Sequence, residues 1–191
     1  AYNKPTQEGL YLHFQAVAAA SAVPVILYNV PGRTAVDLLP PTVERLAKLP
    51  QVVALKEAVP DVGRVRELVS RCGARFHVLS GDDGTAREAI LAGARGVVSV
   101  TANVAPSAMS AMVAAALQGD AERAAALDAA LAPLHRDLFV EANPIPVKWC
   151  LEQMGFIEGG IRLPLTPLAA RYHDLLRAAL RTARVWGESR E

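Results

Sequence analysis

Four short apolar runs recur in the first hundred residues, at 25–28, 52–56, 76–79 and 96–100, and amphipathic stretches separate them. Val25-Ile26-Leu27-Tyr28, branched and aromatic and preceded by Pro24, reads as a strand, as does Val52-Val53-Ala54-Leu55-Lys56. Helical spacing of apolar positions predicts helices over 7–20, 38–48 with Asp37 as a cap, 61–72 with Val62, Val65, Leu68 and Val69 on one stripe, 83–91, and 106–117 closed by Gly119. Continuous apolar strands joined by helices imply a parallel sheet. The strand ends fall about 28, 24 and 20 residues apart, which fits the repeat of a (β/α)8 barrel of roughly 250 residues. Four such units are present, half of a barrel. A flavodoxin-like open sheet has similar spacings, so spacing alone does not choose between the two.

Past Gly119 the pattern changes. Residues 120–140, 146–154 and 167–185 read as helices with no strand between them, and Pro144, Pro146, Pro164 and Pro167 mark the joints. The expected organisation is an α/β half-barrel over 1–119 followed by an all-helical C-terminal appendage over 120–191.

The chain has 191 residues, 52% of them hydrophobic, and a net charge of +1. That is enough to bury a substantial core. The near-neutral balance gives no sign of a nucleic-acid-binding surface, and no apolar run reaches the length of a membrane span. Cys72 and Cys150 lie far apart, and His13, His77, His135 and His173 match no metal-ligand pattern, so no metal is expected. Free thiols and the absence of an evident signal peptide make the cytoplasm the expected compartment.

In a parallel barrel the reactive groups lie at the C-terminal ends of the strands. Tyr28 closes the first run and Lys56 the second, Ser80-Gly81-Asp82-Asp83 follows the third, and Ser99 to Asn103 the fourth. Lys56 is one of four lysines among twenty Lys and Arg residues. An ammonium at the end of a buried strand costs several kcal/mol to desolvate, which favours the neutral amine, a nucleophile toward carbonyls. Read alone, such a lysine also snorkels into water. A phenol on the adjacent strand can shuttle protons as the amine condenses with a carbonyl. Arg33, in Tyr28-Asn29-Val30-Pro31-Gly32-Arg33-Thr34, offers a forked guanidinium to a substrate carboxylate, or is a surface charge after a Pro-Gly turn. Asp82 and Asp83 begin a helix, where capping is their expected job. Glu57 points to the opposite side of the strand from Lys56 and is given no part in the chemistry.

The stretches 2–11, 28–34, 55–58, 79–83 with 96–104, and 141–148 together resemble the dihydrodipicolinate synthases. These belong to the pyruvate-dependent class I aldolase/lyase superfamily, which also holds N-acetylneuraminate lyases and keto-deoxy sugar acid aldolases. The resemblance covers essentially the whole chain. It implies a TIM barrel in which Lys56 forms a Schiff base with pyruvate and Tyr28 relays protons. It further implies that Tyr2 completes the relay in a neighbouring subunit, that Arg33 holds the carboxylate of L-aspartate 4-semialdehyde, and that Gly81 and the backbone of Val98 line the pyruvate pocket. The implied product is 4-hydroxytetrahydrodipicolinate, on the path to lysine and diaminopimelate. No cofactor is implied, because the imine is the electron sink, and the implied assembly is a homotetramer built as a dimer of dimers. Arg33 favours the synthase over the lyase. Relatives carry four further βα units with a threonine pair before the first residue of this chain. The expectation is therefore a portion of a longer protein, inactive when isolated, and the alternatives are another pyruvate aldolase or a non-catalytic half-barrel. Ala1, where lysine-inhibited members often have tyrosine, leans against feedback inhibition.

Overall fold

A computed structural model describes residues 3–186 and divides the chain into two compact units that part between Val98 and Ser99. The break falls earlier than the 119/120 boundary expected from composition, because the helix at Pro106–Leu117 packs on the helix at Ala121–Asp137.

The first unit opens with α1 (Gln7–Ala20), whose first turn is capped by Thr6, the hydroxyl accepting the Gly9 N–H at 3.1 Å. Strands β1 (Val25–Asn29), β2 (Val52–Glu57) and β3 (His77–Ser80) form a parallel sheet in that order. Between β1 and β2 run α2 (Pro31–Thr34) and α3 (Pro40–Leu46), and α4 (Val62–Cys72) returns the chain to β3. Helix α5 (Ala86–Leu91) follows β3. The register pairs Leu27 with Leu55 and Leu55 with Val78, a row that is fully buried. Val43, Leu46 and Leu68 continue this core, with α3 packed on both α1 and α4. The side chains of Ile26 and Tyr28, on the opposite face of β1, are exposed.

Three expectations are corrected here. The fourth strand is reduced to a single parallel bridge between Ser80 and Val97. Its ladder consists of Arg95 N–H to Val78 O, Gly96 O receiving Ser80 N–H, and Val98 N–H to Ser80 O, at 2.8, 2.9 and 2.8 Å. It then stops, because the chain winds into a 3₁₀ turn at Thr101–Asn103, whose first turn Ser99 closes by accepting the Ala102 N–H. Secondly, Asp37 does not cap α3. That helix starts at Pro40, where proline fixes the helical φ and lacks a donor to satisfy, so Asp37 is released for other partners. Thirdly, α5 begins at Ala86, three residues later than expected. Asp82 accepts both the N–H and the hydroxyl of Thr85, at 2.9 and 2.8 Å, and so closes the turn ahead of the helix.

The second unit is helical among its described residues. It comprises α6 (Pro106–Leu117), α7 (Ala121–Asp137), α8 (Ile145–Gln153) and α9 (His173–Thr182). Gly119, with φ +76°, ends α6, and the Asp120 carboxylate caps α7 through the Arg123 N–H. Helix α7 packs on α6 and α9, burying Met112, Leu131, Leu134, Leu176 and Leu180 completely. The helix expected from 167 starts only at His173, after a 3₁₀ turn at Ala170–Tyr172. The His135 ring lies between the Thr101 hydroxyl at 2.9 Å and Asp128 at 3.2 Å.

Both cysteines are free thiols. Burial pushes Cys150 up from 9.0 to about 12 and, with the Glu44 carboxylate adding to it, Cys72 up to about 11. A thiol whose folded value is raised contributes stability below its unfolded value. For Cys150 that contribution is complete below about pH 9 and is lost as pH rises toward about 12. Alkylation by iodoacetamide at pH 8 is therefore expected to leave Cys150 unmodified in the folded protein and to modify it fully in urea. Equal rates in the two states would contradict its burial.

Candidate active site

The β1–β2 register sets Tyr28 directly beside Lys56 at the C-terminal ends of neighbouring parallel strands. The Lys56 Nζ lies 4.2 Å from the centroid of the Tyr28 ring, over its face. An ammonium in that position is worth roughly 0.5–1 kcal/mol at an exposed site. Lys56 is half-buried and Tyr28 is 47% exposed. Among the described residues the pair thus occupies an open sheet face.

Gly81 controls the space around the amine. Its N–H donates to the Glu57 carbonyl at 2.7 Å. A Cβ added there would stand 3.0 Å from Lys56 Cε, 3.0 Å from Ala58 Cβ and 3.1 Å from Ala58 Cα. All three are tighter than ordinary van der Waals contact, and of the three groups the flexible lysine gives most easily, by a few tenths of an ångström.

Arg33 lies in α2, the single turn that replaces the expected Pro-Gly bend, and its side chain is exposed. Thr34 ties this turn down, its hydroxyl lying 3.2 Å from Val30 O and 2.9 Å from Val36 O as a donor. Val98 commits its N–H to Ser80, leaving its carbonyl as the backbone group it can present, and its side chain is exposed. Tyr2 and Ala1 fall outside the described residues. Thr101, expected at a strand end facing the pocket, is instead fully buried against His135.

Behind the lysine and tyrosine lies a polar cluster that strand patterning alone did not join to the site. Asn29 follows Tyr28 and Glu57 follows Lys56, and both point to the other face, where both are buried. Glu57 Oε1 accepts Asn29 Nδ2 at 3.0 Å and the Val59 N–H at 2.9 Å, and Oε2 accepts Arg64 Nε at 2.9 Å. The two terminal nitrogens of Arg64 grip Asp37 at 2.9 and 2.7 Å, and one also donates to Leu38 O. Asn29 donates to Asp37 at 2.8 Å and accepts the Leu38 N–H at 2.9 Å. Burial by itself would lower the Arg64 pKa, but its hydrogen bonds and charge attraction to Asp37 and Glu57 outweigh that and raise it.

Among the described residues no group of three or more His, Cys, Asp or Glu could hold a metal ion, and no helix is long and apolar enough to cross a membrane.

A sequence model of the dihydrodipicolinate synthetase family matches residues 1–183. The chain belongs to that family. It is 60% identical over 182 residues to a 4-hydroxy-tetrahydrodipicolinate synthase of Alkalilimnicola ehrlichii, covering 95% of this chain and 62% of the relative. It is 58% identical over 180 residues to the enzyme of that name from Pseudomonas aeruginosa, covering 94% and 62%. The chain therefore spans about 62% of the length of these curated relatives. Among solved structures, a chloride-inhibited dihydrodipicolinate synthase from Acinetobacter baumannii, complexed with pyruvate, superposes with a TM-score of 0.95 at 54% identity, covering 97% of this chain and 64% of that one. The dihydrodipicolinate synthase of Thermotoga maritima gives 0.93 at 43% identity, with 97% and 64% covered.

The geometry around Gly81 gives a direct test. Gly81→Ala is expected to push Lys56 aside by a few tenths of an ångström and to slow any carbonyl condensation at its amine roughly severalfold. An unchanged rate of imine formation with pyruvate would show that the lysine does not depend on this contact.

Proposed function

We propose that the chain carries the Schiff-base half of a 4-hydroxy-tetrahydrodipicolinate synthase, condensing pyruvate with L-aspartate 4-semialdehyde. The observation that carries this is the Lys56 amine over the Tyr28 ring at 4.2 Å, on adjacent parallel strand ends. The family and the pyruvate bound by the Acinetobacter baumannii relative support the choice of substrate.

In this reading the Lys56 nitrogen adds to C2 of pyruvate, and Tyr28 passes protons to and from the carbinolamine oxygen until it leaves as water. The cationic imine draws electrons from the methyl group, which loses a proton and becomes an enamine. The enamine carbon bonds to the aldehyde carbon of the semialdehyde, whose oxygen takes up a proton. The amino group of the semialdehyde then attacks the imine carbon, and the Lys56 nitrogen departs as a free amine. Arg33 holds the carboxylate of the semialdehyde, while Gly81 and the Val98 carbonyl border the keto acid. Tyr2 extends the proton relay across a dimer within a homotetramer, and the reaction takes place in the cytoplasm. Residues 1–119 are one half of a (β/α)8 barrel, and residues 120–191 are its C-terminal helical appendage.

Borohydride reduction of the purified full-length protein with pyruvate tests the reading. A covalent adduct mapping to Lys56 is expected, absent in Lys56→Ala, and an intact folded protein without adduct would overturn it. Tyr28→Phe should slow turnover by about a hundredfold or more. Arg33→Ala should raise KM for the semialdehyde at least tenfold while leaving KM for pyruvate nearly unchanged. Equal changes in both KM values would remove Arg33 from acceptor binding, and turnover of keto-deoxy sugar acids in place of the semialdehyde would move the protein to another aldolase.

A further inference from the structure

Glu57 is completely buried at its side chain, yet the chemistry of Lys56 and Tyr28 makes no use of it. Its surroundings are selective. Each of its partners, Asn29 Nδ2, Val59 N–H and Arg64 Nε, is a donor. Only a group that accepts at both oxygens satisfies all three, which is what an ionised carboxylate does and an amide does not. The buried negative charge is matched by Arg64, whose remaining nitrogens are spent on Asp37 and Leu38.

Position distinguishes this cluster from an ordinary stabilising ion pair. Asn29 and Glu57 are paired in register one residue beyond the paired Tyr28 and Lys56. In a strand, consecutive side chains leave opposite faces of one short length of backbone, so clamping one of them sets the direction of the other. The cluster also reaches both remaining parts of the site. The Glu57 carbonyl holds the N–H of Gly81, the residue against Lys56 Cε. Asp37 and Leu38, pinned by Arg64 and Asn29, end the segment that begins at Arg33.

We propose that Glu57 is a positioning residue for the Lys56–Tyr28 pair, and that Arg64 and Asp37 carry its hold to the loop bearing Arg33. This rests on the condensation proposed above. The charged carboxylate fixes the strand ends from behind, so the amine meets the keto acid beside the phenol, and the second carboxylate fixes where the acceptor is held.

Glu57→Gln, Glu57→Asp and Asp37→Asn in the full-length protein test this, with Leu134→Ala, buried in the helical unit, as a control for lost stability alone. Each is assayed below its own melting temperature for kcat, both KM values and the rate of borohydride-trapped imine formation with pyruvate. Glu57→Gln should lower kcat and the trapping rate at least tenfold, with Glu57→Asp recovering part of both. Asp37→Asn should leave trapping within about twofold of wild type while raising KM for the semialdehyde several-fold. Leu134→Ala should lower the melting temperature and change neither. If Glu57→Gln behaves like Leu134→Ala, the residue is structural only and the proposal falls. If Glu57→Gln does not fold, Asp37→Asn decides: an unchanged KM for the semialdehyde overturns the proposal. A wild-type protein that traps no pyruvate removes the condensation itself, a result distinct from equal trapping by wild type and variant.

Discussion

The parallel pairing of β1 with β2, in the register that sets Tyr28 against Lys56, is the constraint from which the rest follows. A slip of either strand by one residue would turn the phenol and the amine onto opposite faces and separate Asn29 from Glu57 in the same way. Buried Leu27 and Leu55 oppose such a slip through the hydrophobic effect, because the strand that moved would turn its leucine to the exposed face. Glu57 opposes it through charge, because a slip of β2 would take its carboxylate away from Arg64. Apolar packing and ionic matching thus select the same register, the kind of agreement between levels that gives a chain one structure.

The two faces of the sheet do different work. The face against the helices is closed by leucine, valine and one saturated polar cluster. The other presents Ile26, Tyr28, Lys56 and Val98, residues of mixed chemistry with considerable exposure. The polar cluster lies beneath the strand ends and not along their middle, which is where a directional, geometrically exacting group has most leverage over reactive side chains. Buried ion pairs add little net stability relative to apolar residues of the same shape. Their placement here is better explained by orientation.

Much of this was legible in the residues. The helix at Gln7–Ala20 and the helix at Pro106–Leu117 have the predicted bounds, because Thr6, Pro106 and the apolar spacing are local signals. Tyr28 and Lys56 came together as expected, since strand ends in a parallel sheet lie side by side. The rest depends on contacts distant in sequence. Asp37 looked like a helix cap until Arg64, 27 residues away, took its carboxylate. Glu57 was correctly placed on the far face, but nothing local announced its partners on another strand and another helix. The fourth strand failed because a run that looks like a strand, Gly96 to Val100, ends in a turn held by Ser99 and by buried Thr101. One signal was available: an ionisable residue inside an apolar strand, immediately after Lys56, needs a counter-charge somewhere.

The most direct measurement is a crystal structure of the full-length protein soaked with pyruvate and reduced. The account expects continuous density from Lys56 Nζ to C2 of the former keto acid, the Tyr28 hydroxyl within hydrogen-bonding distance of the adduct, and Glu57 still bound to Asn29, Val59 and Arg64. An adduct on Lys4, Lys48 or Lys148, or a Lys56 adduct turned away from Tyr28, would contradict it.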